Sequence, residues 1–199
     1  GPISICSETY SIGDPAVSPD GKKLYFTSDM PGGVGGTDLY FREIHPNGTF
    51  GEAVNLGLRV NTSGNEMNPF IAKDGTLFFA SDKLPGFGNL DLYIAYPTSR
   101  GFDYVTNIGY PINGPYDDFG LVLTQTGNLA FMSSNRIDGV GDDDIYKIEI
   151  DKKTVTHTVD GQVIDEKGVP VNSSTIKIFD GKSLINTLSA DISGKFTFK

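Results

Sequence analysis

One unit of sequence occurs three times in this chain at an even step, and that regularity restricts the fold more than any other feature. Asp38-Leu39-Tyr40, Asp91-Leu92-Tyr93 and Asp144-Ile145-Tyr146 stand 53 residues apart each time. Before each lies an apolar run ending in Ser28-Asp29, Ser81-Asp82 or Ser134-Asn135. A Gly-rich stretch separates the run from the Asp motif, at 31–36, 85–88 and 139–141. The linking segment also recurs: Asn55-Leu56-Gly57 with Val60-Asn61 returns 52 residues later as Asn107-Ile108-Gly109 with Ile112-Asn113. A period of this size marks a repeat architecture in which each unit is one supersecondary element.

Each unit parses into four short strands, which in the first are 15–18, 24–28, 38–44 and 53–56. Asp20-Gly21, Asp74-Gly75 and Thr126-Gly127 supply a tight turn between strands one and two. Pro46-Asn47-Gly48 turns strand three into strand four. Four antiparallel strands per repeat describe a propeller blade. Both faces of a blade meet neighbours, so its strands carry consecutive apolar residues, as in Leu24-Tyr25-Phe26 and Leu77-Phe78-Phe79. The expected fold is all-β: a partial β-propeller of three four-stranded blades over residues 1–153, then a partial β-sandwich over 154–199. Unit three runs into Asp151-Lys152-Lys153 with no Asn-Leu-Gly segment, so its fourth strand is missing. Residues 3–10 are read either as a strand lent to that blade or as the outer strand of a preceding one. Three blades do not close a ring, which points to further blades upstream or to self-association through open blade faces.

Past residue 156 the pattern changes. Ser174-Thr175-Ile176-Lys177-Ile178-Phe179 and Gly194-Lys195-Phe196-Thr197-Phe198 alternate as half-buried strands do. The segment is far shorter than the roughly 100 residues of a complete sandwich. The chain has 25 Gly, 11 Pro, 13 Phe and 9 Tyr, which suits many turns and short strands. A net charge of −9 disfavours phosphate backbones, so no nucleic-acid partner is expected. No apolar run approaches the length of a membrane-spanning helix, so direct insertion into a membrane is not expected. Gly1-Pro2-Ile3-Ser4-Ile5 has neither the charged nor the apolar region of a secretory leader. The single Cys6 cannot form an internal disulfide; it reads as a small buried hydrophobe.

Ser18-Pro19-Asp20-Gly21, Leu24-Tyr25-Phe26-Thr27-Ser28-Asp29 and Gly35-Gly36-Thr37-Asp38-Leu39-Tyr40 together resemble the TolB-type, WD-like propeller repeat. The joining Asn55-Leu56-Gly57, Asn61-Thr62 and Asn65-Glu66, with the third unit, resemble the version found in OmpA-family periplasmic proteins of Bacteroidetes. Asp160-Gly161-Gln162-Val163, Gly168-Val169-Pro170-Val171 and Gly194-Lys195-Phe196 are similar to the opening of a carboxypeptidase regulatory-like domain. The resemblance implies a periplasmic scaffold associated with the outer membrane, with protein partners in the cell envelope. Some members of that family serve type IX secretion. It implies peptidoglycan binding only through flanking domains that these residues do not include.

Candidate chemistry is sparse. The Gly-rich loops suggest phosphate cradles, but a phosphate loop leads into a helix N-terminus and these join two strands. Asp138, Asp142 and Asp143 form the one oxygen-rich cluster that suits Ca²⁺. The other reading of the repeated acids is that each holds the N–H groups of its loop. No cofactor other than such a Ca²⁺ is implied. His45 falls in a turn and His157 in a linker, and neither has a Ser or Cys partner at recognisable spacing. Ser133-Ser134 lacks a nucleophile-elbow pattern. Tyr110, Tyr116 and Phe119 flank the crossing Pro111-Ile112-Asn113-Gly114-Pro115 between units two and three. They read either as core or as partner-binding residues at the rim. The expected function is a non-catalytic interaction scaffold. The alternatives are a glycan- or peptide-binding propeller module and a hydrolase propeller.

Overall fold

The computed structural model of the chain describes residue 3 and residues 5–150, 159–180 and 183–198. The chain forms two compact units, Gly1–Asp151 and Lys152–Lys199. The expected boundary at 153/154, and His157 with it, lie outside the described residues. Those residues are all-β, with no helix.

The first unit is a partial propeller. Blade one is the antiparallel sheet β1 (Ile12–Val17), β2 (Lys23–Ser28), β3 (Asp38–Glu43) and β4 (Val54–Asn55). Blade two is β5 (Glu66–Ile71), β6 (Leu77–Ser81), β7 (Asp91–Thr98) and β8 (Gly101–Asn107). Blade three has three strands among the described residues: β9 (Asp118–Leu123), β10 (Leu129–Ser134) and β11 (Asp144–Glu149). Each first strand carries a register shift beside a left-handed residue, Asp14 (φ 49°), Asn68 (φ 53°) or Gly120 (φ 65°). This is a bulge at one repeated position, of the kind that bends a strand and adds twist.

Consecutive residues of a middle strand point to opposite neighbours, and that alternation builds the core. Tyr25 and Leu39 of blade one meet Phe79, Tyr93 and Leu77 of blade two in one buried cluster. Leu92 and Phe78 of blade two meet Leu121, Met132 and Tyr146 of blade three in another. The remaining flank of blade one, with Leu24, Phe26 and Tyr40, is covered by Ile5. Residues 3–10 therefore form no strand among their described members. Ile5 is drawn to the apolar blade flank instead, and Cys6 beside it is an exposed free thiol rather than a buried one. Among the described residues of the first unit, the flank of blade three has no such cover. Phe131 and Ile145 occupy the repeat positions of Tyr25 and Leu39, yet are 36% and 78% exposed.

The second unit pairs β12 (Val159–Gln162) with β15 (Lys195–Phe198), and β13 (Thr175–Asp180) with β14 (Ser183–Ser189). Two small sheets make a partial sandwich, with Val159, Ile164, Val169, Phe179 and Leu184 exposed. The sequence does not announce β14, because the adjacent Leu184-Ile185 break the alternation that marks β13.

Candidate functional site

The Asp of each repeated motif closes its own Gly-rich loop. Asp38 accepts hydrogen bonds from the N–H groups of Val34 (2.5 Å) and Gly35 (3.2 Å). Asp91 accepts from Phe87 (2.8 Å) and Gly88 (3.1 Å), and Asp144 from Val140 (2.6 Å) and Gly141 (3.0 Å). A carboxylate thus fills the N–H nest that a phosphate would occupy. One Gly of each loop leaves room for it. A Cβ on Gly33, Gly86 or Gly139 would strike the carboxylate and crowd the hydroxyl of Tyr40, Tyr93 or Tyr146. The Asp-hydrophobic-Tyr signature is a packed assembly of carboxylate, glycine and phenol.

A second repeated device joins the blades. Asn61 is wholly buried, accepts from Leu39 N–H (2.9 Å) and donates to Leu39 C=O (3.0 Å). Asn113 does the same for Leu92, at 2.9 and 2.8 Å. Each amide reaches back from the crossing and stands in for a strand beside a residue of the preceding blade's third strand. Thr37 N–H and Leu90 N–H reach the side chains of Asn65 and Asp117 across the same junctions. Asn65 pairs with Asp82, and Asp117 with Asn135, so acid and amide exchange places between the two repeats.

The buried acids beside these junctions are held differently. Asp118 forms an ion pair with Arg136 at 2.6 Å. Glu66 has hydroxyl and N–H donors only, from Thr62 and Ser81, at 2.7 Å each. Burial pushes its carboxyl above the ordinary 4.5, against the lowering effect of those hydrogen bonds. An acid with a raised folded-state value favours folding when protonated. Its contribution is largest below 4.5 and is lost as pH rises through the folded-state value. Relative to Glu66→Gln, the native protein should therefore gain melting temperature as pH falls from neutrality toward 4.5. Parallel melting curves for the two proteins would count against this linkage.

The structure places the candidate residues unequally. Tyr110 is 83% exposed, which removes it from the core. It and Tyr116 line one shallow pocket of about 260 Å³ with Pro111, Gly114, Pro115, Arg136, Ile137 and Asp138. Phe119 is elsewhere: it lies on β9 opposite Ser133 of β10. Asp138, Asp142 and Asp143 are not brought together. Among the described residues, no three His, Cys, Asp or Glu side chains stand close enough to hold a metal ion. Ile137, 80% exposed at the pocket edge, is a wall residue that sequence reading did not single out. Its signal is positional: the equivalent Leu84 packs against the core between blades one and two. A larger groove of about 590 Å³ runs between those blades, lined by Tyr25, Phe41 and Phe102 with the turns at Asp20, Asp74 and Arg100.

No protein-family model matches the sequence, and no curated protein sequence matches it significantly. Solved structures do. A TolB-type protein of Agrobacterium tumefaciens aligns with a TM-score of 0.50 at 17% identity, over 72% of this chain and 47% of that one. Puromycin hydrolase, as its S511A mutant complexed with PGG, aligns at 12% identity with a TM-score of 0.41, over 79% of this chain and 32% of that one. The chain thus spans about half the length of the TolB-type protein, and the fold is that of a TolB-like propeller.

Proposed function

We propose that the chain is a non-catalytic interaction scaffold that docks a protein partner on the loop face between blades two and three. One observation carries this reading. The polar groups that recur in every blade are engaged in holding loops and junctions, whereas the exposed Tyr110 with Tyr116 and Ile137 forms a pocket that the repeat does not need. Deletion of a docking residue should then cost binding without costing the fold. A photo-crosslinking residue at Tyr110 is expected to yield one discrete protein adduct, and one at the exposed turn residue Asn47 none. Equal labelling from both positions, or none from either, would sink the proposal.

The finer assignment rests on the resemblance of the repeats and of the second unit to OmpA-family proteins of Bacteroidetes, PorE among them. It places the scaffold in the periplasm at the outer membrane, as a component of type IX secretion. The open flank of blade three adds a tendency to self-association, since Val122, Phe131 and Ile145 leave apolar surface uncovered. The 199-residue chain is expected to form oligomers that Ile145→Glu with Phe131→Ser disperses. Light scattering that gives a clean monomer for the unmutated chain would contradict this.

The larger groove favours a second reading, a glycan-binding module, because the half-buried ring of Phe102 lies in it together with the polar Asp20, Lys23 and Asp74, a mix that suits a sugar. Glycans that raise the melting temperature would support it, and a screen without any shift would remove it.

A further inference from the structure

The repeats act as internal controls for one another. A residue that the fold requires at a blade junction should recur at the next, as Gly57 and Gly109, Val60 and Ile112, and Asn61 and Asn113 do. Departures from the repeat on exposed positions are free to serve something else. At the second junction they are concentrated. Arg59, Ser63 and Gly64 of the first crossing become Pro111, Pro115 and Tyr116 in the second, and Leu58 becomes Tyr110. All four replacements line the 260 Å³ pocket. The facing loop departs as well. Pro85, Asn89 and Leu90 of blade two correspond to Asp138, Asp142 and Asp143 of blade three, so three carboxylates appear where the sister loop has none.

The cation at this site is already engaged. Arg136 is ion-paired with the buried Asp118, donates to Ile112 C=O at 2.6 Å and lies over the Tyr146 ring, 5.0 Å from its centre. It lines the pocket, and among the described residues no cation is ion-paired with the loop carboxylates. Because those carboxylates do not converge on one point, they suit charges spread along a chain better than a single ion.

Resting on the docking reading above, we infer that the pocket takes an extended, cationic segment of a partner protein. One apolar or proline side chain of that segment seats between Tyr110, Tyr116 and Ile137. Lys or Arg residues flanking it face Asp138, Asp142 and Asp143. The apolar seat supplies affinity by burial, and the acidic loop supplies selection and rate of encounter.

The test uses a phage-displayed library of random dodecapeptides, selected against the full 199-residue chain. Enriched sequences should carry Lys or Arg beside an apolar or proline residue. Their binding, read by fluorescence polarisation, should weaken about tenfold in Asp138→Asn/Asp142→Asn/Asp143→Asn and in high salt. It should be lost in Tyr116→Ala/Ile137→Ser, with Tyr110→Ala as a more exposed variant that leaves the fold intact. Neutral or acidic peptides that lose binding with Tyr116→Ala but not with the triple Asn variant would overturn the cationic partner and leave the docking site standing. No enrichment, or peptides indifferent to every pocket variant, would overturn both.

Discussion

Asp91→Ala is expected to lower the free energy of unfolding by about 3 kcal/mol, because two partly buried loop N–H groups lose a charged acceptor at once. Asp91 is almost fully buried, and the Phe87 and Gly88 amides have no other acceptor in the loop it closes. Asparagine separates the electrostatic part from the geometric part. Both amides of this loop donate to the same oxygen, Oδ2, while Oδ1 is buried without a partner. Asp91→Asn can keep both bonds and should lose less than half as much stability as Asp91→Ala. In blade one the two oxygens divide the work. Oδ2 of Asp38 takes Val34 N–H and the Asn55 amide, and Oδ1 takes Gly35 N–H. Asp38→Asn must therefore break a bond and should approach the cost of Asp38→Ala. Asp144→Ala, in a loop whose Val140 is fully exposed, should cost least of the three alanine variants. Urea midpoints for the five variants and the native protein decide the matter. Losses near zero at all three aspartates would mean that the loops do not depend on their carboxylates.

These aspartates also show how far the sequence carries. Their 53-residue step marks the blades because a tight turn, an apolar middle strand and a Gly-rich loop recur with them, and each is a local signal. The role of the acid as a loop acceptor follows from its place after a Gly-rich run. The partners that depend on tertiary contact are less visible. Asn61 and Asn113 appear in the sequence only as a recurring residue, and their paired hydrogen bonds to the N–H and C=O of one residue in the preceding blade need the crossing to be seen in space. Strand four is legible as a segment but not in length: β4 has two residues and β8 seven, because blade two extends its outer hairpin past Tyr96. Tyr110, Tyr116 and Phe119 lie within ten residues of one another, yet β9 carries Phe119 away from the pocket. Proximity along the chain stops being informative once a strand begins. Ile137 shows the converse, since it joins the pocket across the junction and its apolar character alone does not distinguish it from Leu84.

Gly88→Ala is expected to damage stability and partner binding together. The obstacle is close approach and not backbone conformation, because Gly88 does not have a left-handed φ. An added Cβ would collide with the carbonyl oxygen of Tyr116 and press on the Gly114 carbonyl at 3.0 Å. Both are backbone atoms of the crossing, which is pinned by Asn113 and by the Gly114 N–H bond to Asp118, so no flexible side chain can yield. Overpacking of this kind costs about 3 kcal/mol when the structure cannot relax. The crossing also carries Tyr110, Pro115 and Tyr116, so relief by moving it would displace the pocket wall. A crosslinker at Tyr110 should accordingly lose its adduct in Gly88→Ala even below the melting temperature. Gly13→Ala is the matched control, since its Cβ meets no atom within 4 Å, and it should leave both readouts unchanged. If Gly88→Ala melts early but keeps its adduct, the loop rather than the crossing has moved. The pocket would then be more independent of the blade junction than the packing of Gly88 against Tyr116 indicates.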